Sequence, residues 1–329
     1  MEPKFAPPDL PVLKRCSGEC YKGTYTLNAT FGCSHNCVYC YVPSIPSGMN
    51  KIKEFGGSLE QVRIKENVAE WAEKELRTLR KPVLIRLSTM SDIFQPVLKE
   101  TGVTKQLFKV FKENDVRIYL MTKNVPDEET LNYIKEQPWK YYYIVTCANI
   151  DDKRWQLFEK GSLNPMLRLE MARELVEAGV EVELDMDPLI PGFDDSEKAL
   201  RSTIRAAKEV GIKSLYAGFL FLRPSIIFRM RKLLPREVFE QIQAHYKFGG
   251  TEYTSPKQKT GRMTVLPYEY QREKLKLLAE IADSEGMKLK ICEKKNGRVA
   301  KELGLPMCTK LKLLEVLKNT QKKVQLSLF

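Results

Sequence analysis

Three cysteines lie close together near the amino terminus, where Cys33, Cys37 and Cys40 give the spacing C-x3-C-x2-C. Cysteine thiolates are the usual ligands of iron–sulfur clusters, and three of them can hold three corners of a cubane, which leaves one iron open. A structural zinc ion needs four ligands, and His35 has poor reach from inside the loop. A thioredoxin-type redox pair needs no third cysteine. The spacing therefore favours an iron–sulfur cluster.

The segments that follow this loop alternate between helix and strand patterns, and together with the run before it they predict six strands. The predicted strands are 24–30, 83–88, 116–121, 141–147, 180–186 and 214–220. The predicted helices are 66–80, 103–114, 127–137, 165–178 and 196–210. This alternation predicts right-handed crossovers and a parallel sheet. Six strands are too few for an eight-stranded barrel, so we expect an α/β fold with a partial (βα)6 barrel.

The predicted fold places the cysteine loop where ligands bind. Ligands of such sheets sit at the carboxyl ends of the strands, and the loop directly follows the first strand. Residues 1–23 contain four prolines and are expected to form an irregular lead-in. The barrel is predicted to span residues 24–222, and residues 223–329 to form a basic, mostly helical extension.

The cysteine segment, Cys-Ser-His-Asn-Cys-Val-Tyr-Cys, resembles the CxxxCxxC motif of the radical S-adenosylmethionine (SAM) superfamily. The stretches TLNATFGCSHNCVYCYVP, STMSDIFQPVLKETGVTKQLFKVF, YLMTKN and PLIPGFDDSEKAL, within residues 24–200, are similar to its spore photoproduct lyase-like branch. This resemblance implies a [4Fe–4S] cluster whose open iron binds SAM, and cleavage of SAM to a 5′-deoxyadenosyl radical. It also implies an external electron donor of the flavodoxin or ferredoxin type.

The same resemblance implies a set of residues that contact SAM. They are Tyr39, Ser88, Ser91, Asp92, Lys123 and Thr146. Lys123 matches a lysine that contacts SAM in that branch, and an ammonium group is a suitable partner for the methionine carboxylate. The alternative for Lys123 is a solvated surface lysine. The alternative for Tyr39 and for Tyr41, which flank Cys40, is aromatic packing over the cluster.

One departure from the branch concerns a catalytic thiol. Spore photoproduct lyases carry a cysteine in the second-strand segment that returns a hydrogen atom to the product radical, whereas Thr89 and Met90 stand in this segment. Reversal of thymine photoproducts by that route is therefore not expected. Tyr41 and Cys147 are the remaining catalytic candidates. The alternative for Cys147 is a small buried hydrophobic residue.

Four further cysteines outside the barrel motif form two pairs in the sequence. They are Cys16, Cys20, Cys292 and Cys308. Convergence of both pairs would create a second metal site for zinc or an auxiliary cluster. The alternative is that the four thiols are unrelated, because a C-x3-C pair is a weak signal.

The chain is strongly basic, with 54 Lys and Arg against 42 Asp and Glu and a formal charge of +12. This charge favours a polyanionic partner such as nucleic acid, and the alternative is a lysine- and glutamate-rich surface of the thermophile type. Four cations follow the sixth predicted strand and are the candidates for phosphate contacts. They are Arg223, Arg229, Arg231 and Lys232.

The last residues, Gln325–Phe329, resemble the short peptide that docks on DNA sliding clamps, and a lysine-rich stretch precedes them. The alternative is a terminal segment that packs into the core. No apolar run reaches the ~20 residues of a membrane span, and the first residues lack the apolar core of a secretory signal. We therefore expect no membrane partner and a cytoplasmic location.

Three functions are consistent with these features. The first is a radical SAM enzyme acting on nucleic acid, as in photoproduct-type DNA repair or a related modification. The second is a radical SAM enzyme that modifies a peptide or small molecule. The third is a cluster-bearing sensing module without turnover, against which the cysteine motif and the SAM-binding strand ends count.

Overall fold

The structure is a computed structural model that describes residues 3–16, 23–45, 50, 54, 61–255 and 260–308. The strands of the described residues are β1 (Phe5–Ala6), β2 (Lys14–Arg15), β3 (Tyr25–Leu27), β4 (Thr30–Phe31), β5 (Arg63–Lys65), β6 (Val83–Leu87), β7 (Val116–Thr122), β8 (Tyr141–Thr146), β9 (Glu181–Leu189), β10 (Ser214–Phe219), β11 (Thr251–Ser255), β12 (Thr260–Thr264) and β13 (Lys288–Ile291).

Eleven α-helices connect or flank these strands in the described ranges. They are α1 (Val68–Thr78), α2 (Pro96–Glu100), α3 (Val103–Glu113), α4 (Glu128–Glu136), α5 (Asp152–Phe158), α6 (Pro165–Glu177), α7 (Glu197–Glu209), α8 (Pro224–Leu233), α9 (Arg236–His245), α10 (Tyr268–Ser284) and α11 (Glu293–Glu302). Asp127 caps α4 by accepting a hydrogen bond from the amide of Thr130, a role that aspartate commonly takes at the start of a helix.

An eight-stranded sheet lies at the centre of the described chain, in the order β13-β10-β9-β8-β7-β6-β3-β2. Its strands run parallel from β3 to β13, and β2 adds one antiparallel edge. The six predicted strands correspond to β3, β6, β7, β8, β9 and β10, so the predicted α/β fold with a parallel sheet is confirmed. The sheet is open, because β13 and β2 form separate edges and do not pair with each other.

The C-terminal extension contributes more than helices. Its strand β13 pairs with β10 in parallel and thereby adds a seventh parallel strand to the sheet. Strands β11 and β12 form an antiparallel hairpin, which joins the sheet region where Thr264 pairs with Leu222. The extension therefore completes one edge of the central sheet.

The two faces of the sheet differ in chemistry. Side chains such as Ile118, Leu184 and Ala217 belong to one continuous apolar core that includes the helices. The other face carries polar residues in register, as where Asp185 lies beside Tyr216 and Tyr216 beside Lys290. Strands of fully covered parallel sheets are usually apolar on both faces. The polar face is therefore suited to contact a polar ligand. The space that this face lines is called the lumen below.

Candidate active site

The cysteine loop follows β4 and is fastened by a buried glutamine. Gln95 donates a hydrogen bond from its side chain to the Thr30 hydroxyl at 2.9 Å. Its side-chain oxygen accepts from the amide of Ser34 at 3.1 Å. Gln95 is fully buried and directly precedes α2, so both halves of its amide connect the loop region to the start of that helix.

The segment after α5 supports the opposite side of the cysteine loop. The amide of Val38 donates to the carbonyl oxygen of Phe158 at 3.1 Å. Gly161 lies so close to the loop that a Cβ atom there would stand 2.5 Å from the carbonyl oxygen of His35. Only a residue without a side chain fits this contact.

The three cysteines of the loop lie close enough to interact electrostatically. Burial raises the pKa of Cys37 to about 12, and Glu159 and Cys40 add to the effect. Burial is also the main cause of the raised pKa values of Cys33 and Cys40. Cys37 and Cys40 both contribute to the shift at Cys33.

No group of three or more His, Cys, Asp or Glu side chains converges to hold one metal ion in the described part of the chain. In a cubane each thiolate binds a different iron, so the sulfurs stand further apart than around one ion. His35, which was considered as a fourth zinc ligand and judged to have poor reach, lies 3.6 Å from a carboxylate oxygen of Asp92 and 3.5 Å from Asn124.

An arginine from the extension holds the cysteine loop. Arg229 on α8 donates to the side-chain oxygen of Asn36 at 2.6 Å and to the carbonyl oxygen of Cys37 at 3.2 Å. Ser225, one turn earlier on the same helix, forms a hydrogen bond with Ser44 at 2.6 Å. The contact of Arg229 with nucleic acid stays a prediction, and in this structure its side chain hydrogen-bonds to the cysteine loop.

Replacement of Arg229 by Gln should weaken the loop. A charge-assisted hydrogen bond of this kind contributes about 1.5–3 kcal/mol, so we expect faster loss of iron to a chelator after anaerobic reconstitution. Arg231→Gln is the matched control, because Arg231 lies on the same helix with its side chain exposed. Equal rates of iron loss in both variants would remove Arg229 from this role.

A buried network of two arginines and two carboxylates lies beneath the loop. Arg154 donates to the two oxygens of Asp194 at 2.9 and 3.0 Å and also to Glu159. Arg168 donates to Glu159 at 3.0 Å, and the Tyr39 hydroxyl donates to it at 2.5 Å. The four charged side chains are at most 3% exposed. The network thus links α5 and α6 to the residue that precedes Cys40.

Lys123 lies half-buried at the end of β7, with its ammonium nitrogen 5.7 Å from the centre of the Tyr39 ring. Burial by itself would lower the pKa of Lys123, but Cys37, Glu159 and Asp185 outweigh it and raise the pKa. The ammonium group is therefore charged beside the cysteine loop, where an anionic ligand group can pair with it.

Asp92 joins three segments at the carboxyl ends of the strands. Its oxygens accept hydrogen bonds from the hydroxyl of Thr122 at 2.9 Å and from the amides of Lys123 and Phe94 at 2.8 Å. Ser88 precedes it in the left-handed region, with φ of 63°, and its hydroxyl accepts from the amide of Ile93. These bonds fix the turn that also carries the half-buried Ser91.

Thr146, the last residue of β8, donates from its hydroxyl to Asp185 at 3.3 Å. Asp185 is 1% exposed, and its second carboxylate oxygen has no partner among the described residues. Burial raises the pKa of this carboxyl group well above its ordinary value, and Asp187 adds to the effect. The Thr146 end of the lumen therefore contains a buried acid, which the sequence did not single out.

The two catalytic candidates differ in access to the site. Cys147 is 1% exposed within the apolar core, and burial raises its pKa to about 12. This environment supports the alternative of a small buried hydrophobic residue. Tyr41 is exposed, and its hydroxyl donates to the carbonyl oxygen of Thr89. Tyr39 lies buried on the Glu159 network, in agreement with a packing role.

Of the additional cysteines that the structure describes, Cys292 and Cys308 lie together and Cys16 lies apart from them. Cys308 lies beside Cys292 at the end of β13, where the Cys308 amide donates to the carbonyl oxygen of Ile291 at 2.9 Å. A hydrogen bond from Cys308 lowers the pKa of Cys292 to about 7. Cys16 follows β2 at the other edge of the sheet, and Cys20 lies outside the described residues. The predicted clamp-docking segment, Gln325–Phe329, also lies outside them.

Comparisons with solved structures identify the fold. Spore photoproduct lyase complexed with dinucleoside spore photoproduct matches with a TM-score of 0.64 and 16% identity, over 86% of this chain and 79% of that chain. A mutant of the same lyase with bound AdoMet and dinucleoside spore photoproduct matches with a TM-score of 0.61 and 15% identity. The match covers 85% of this chain and 78% of that chain.

Comparisons with sequences give relatives without an assigned function. No protein-family model matches the chain. An uncharacterised protein of Acidianus two-tailed virus is 22% identical over an alignment of 217 residues, and the match covers 60% of this chain and 68% of that protein. An uncharacterised protein of Mycobacterium bovis is 24% identical over an alignment of 208 residues, and the match covers 61% of this chain and 60% of that protein. No helix of the described residues meets the length and apolarity needed to span a bilayer. The chain has the fold of spore photoproduct lyase.

Proposed function

We propose that this protein is a radical SAM enzyme that acts on nucleic acid. The observation that supports this most strongly is the placement of Cys33, Cys37 and Cys40 on one loop at the carboxyl ends of the parallel strands, in a fold shared with a lyase solved with AdoMet and a dinucleoside photoproduct. A [4Fe–4S] cluster at these thiols would supply the electron that cleaves the sulfonium of SAM. The reducing cytoplasm suits such a cluster.

The residues of the chain would bind and orient the cofactor and exclude solvent. Lys123 would pair with the carboxylate of SAM, Thr146 would hydrogen-bond its polar groups, and Asp92 would position the backbone of Lys123. Arg229 and Glu159 would not contact the cofactor themselves. Arg229 would fix the cysteine loop, and Glu159 would fix Tyr39. A flavodoxin- or ferredoxin-type protein would deliver the electron, and Gln325–Phe329 would dock on a sliding clamp.

Lys123→Met should weaken SAM binding roughly 10- to 100-fold, because a charge-assisted hydrogen bond contributes about 1.5–3 kcal/mol. Methionine retains an apolar stem of similar length, so packing on Tyr39 should persist. Anaerobic equilibrium dialysis of reconstituted protein with labelled SAM measures the change. Lys105→Met is the control, since Lys105 is half exposed on α3 and pairs with Glu129 on α4. Unchanged affinity in Lys123→Met would exclude the carboxylate contact.

The reaction on DNA should differ from direct photoproduct reversal. The position of the catalytic thiol is filled by Thr89 and Met90, which are held by the side chain of Asn28 at 3.0 and 2.8 Å. A hydroxyl is a poor hydrogen-atom donor compared with a thiol. Incubation with ultraviolet-irradiated and with plain DNA separates repair of lesions from modification of intact bases.

Nucleic-acid binding is tested by its salt dependence. Each phosphate contact should contribute about one unit to the slope of log affinity against log salt. We expect the double variant Arg231→Gln, Lys232→Gln to lose about two units of that slope, as measured by filter binding. Absence of binding in the native protein at low salt would contradict the nucleic-acid substrate and favour a peptide or small molecule.

A further inference from the structure

Helix α8 presents three different faces to its surroundings. Ile226 and Met230 are buried in the core. Ser225 and Arg229 face the cysteine loop through the hydrogen bonds described above. The third face is exposed and carries Phe228, which is 70% accessible. The helix therefore lies between the cysteine loop and solvent, with an aromatic ring on its outer side.

The exposed face of α8 combines this ring with positive charge. Arg231 and Lys232 follow Phe228 at positions i+3 and i+4, which places them beside it on the helix surface. Both are exposed, and neither forms an ion pair with a carboxylate of the described chain. A large exposed apolar side chain is unfavourable in water, and here two cations that are free to bind phosphate border it.

A second exposed phenylalanine lies on a neighbouring element. Phe248 follows α9, is 82% exposed, and has the ammonium group of Lys247 at 5.4 Å from its ring centre. Helix α9 contacts α8. The turn after α9 joins the same region, because Gly250 pairs with Val265 and Thr264 pairs with the residue next to Arg223. An exposed phenylalanine beside a cation thus occurs twice in this region. Phe228 lies on the outer face of α8, and Phe248 belongs to the segment that joins near its start.

Aromatic rings bordered by cations are the elements by which proteins hold single-stranded nucleic acid, since bases stack on the rings and phosphates pair with the cations. A peptide of acidic residues would use the cations but not the flat exposed rings. A base that stacks outside a duplex is also the form in which an enzyme can reach its atoms. The combination of an exposed ring and cations therefore favours nucleotides whose bases are unstacked as the ligand of this surface.

We propose that the outer face of α8 binds single-stranded nucleic acid, with a base stacked on Phe228 and adjacent phosphates on Arg231 and Lys232. This inference rests on the proposed function, because it names the form of nucleic acid and the residue that contacts a base. The adjacent Arg229 face of the same helix holds the cysteine loop, so one helix would contact both the bound strand and that loop.

The test is fluorescence anisotropy with a labelled oligodeoxythymidylate of about 12 nucleotides, within the site sizes usual for single-strand binding. Phe228→Ala should weaken binding roughly 5- to 150-fold, and Phe228→Trp should retain it. The salt slope should be unchanged in Phe228→Ala, because the ring pairs with no phosphate. Phe228 is exposed, so neither variant should alter thermal unfolding.

Two controls make the result specific to stacking. Phe5→Ala removes another exposed phenylalanine, in the separate sheet that contains β1, and should leave affinity unchanged. An abasic oligomer of the same length should bind the native protein and Phe228→Ala equally. Native binding with no effect of Phe228→Ala, or equal losses on both probes, would overturn the inference alone. No binding by the native protein would overturn the nucleic-acid substrate as well.

Discussion

Cys37→Ala protein, reconstituted anaerobically, will lack the brown colour and the iron of a [4Fe–4S] cluster and will not cleave SAM. The reason is ligand count: three thiolates from one loop are the whole protein contribution to a site-differentiated cubane. The removal of one leaves two irons without a protein ligand. We expect the same outcome for Cys33→Ala and Cys40→Ala, measured as iron per protein and as the thiolate-to-iron absorption.

Two cysteines elsewhere in the chain provide matched controls for this experiment. Cys147→Ala removes a thiol that is buried in the apolar core, and Cys292→Ala removes one beside Cys308 at the edge of the sheet. Both should retain the iron and the absorption of the native protein. A Cys37→Ala protein that keeps a full cluster, or a Cys147→Ala protein that loses it, would contradict the assignment of the ligands.

Glu159→Gln will destabilise the folded protein by about 3–5 kcal/mol, the usual cost of removing one partner from a buried ion pair. The change leaves Arg154 with Asp194 alone and leaves Arg168 with neutral partners only. Arg168 is 1% exposed, so water cannot compensate for the lost charge. Denaturant unfolding of the apoprotein measures the effect without a contribution from the cluster.

Glu129→Gln is the control for this prediction. Glu129 pairs with Lys105 at 2.5 Å, but both side chains are about half exposed, and exposed pairs contribute about 0–1 kcal/mol. If Glu159→Gln lowers the free energy of unfolding by less than about 1 kcal/mol, as the control does, the buried network stabilises the fold no more than an exposed ion pair.

The pH dependence of stability follows from the same carboxylate. Burial by itself would raise the pKa of Glu159, but Arg154, Arg168 and Lys123 hold it well below its ordinary value of 4.5. A group whose pKa is depressed on folding adds stability above its unfolded pKa and loses it as the pH falls towards the folded value. Native protein should therefore lose stability below about pH 4.5 more steeply than the Glu159→Gln variant.

The parallel strands could be predicted from sequence because their signal is local. Runs such as Tyr141–Thr146 are rich in aromatic and β-branched residues, and the six predicted strands all appear. The first predicted strand, 24–30, is divided in the structure. Tyr25–Leu27 pairs in the large sheet, whereas Thr30–Phe31 pairs with β5 in a separate sheet. Which partner a residue pairs with depends on distant segments, so that division has no local signal.

The support of the cysteine loop could not be predicted for a related reason. Arg154 and Asp194 are 40 positions apart, and Tyr39 and Glu159 are 120 apart. Each belongs to a residue type that is usually exposed, and only the fold buries them together. Arg229 was predicted as a phosphate contact because its segment follows the sixth strand, and the sequence carried no signal for its hydrogen bonds to Asn36 and Cys37.

The most direct test of the proposed radical chemistry is the formation of 5′-deoxyadenosine. Native protein, reconstituted with iron and sulfide under anaerobic conditions and reduced with dithionite, is incubated with SAM and the product is measured by mass spectrometry. We predict 5′-deoxyadenosine in the native protein, its absence in Cys37→Ala, and an increase when single-stranded DNA is added. A fully loaded [4Fe–4S] protein that yields no 5′-deoxyadenosine, with or without nucleic acid, would contradict the proposed function.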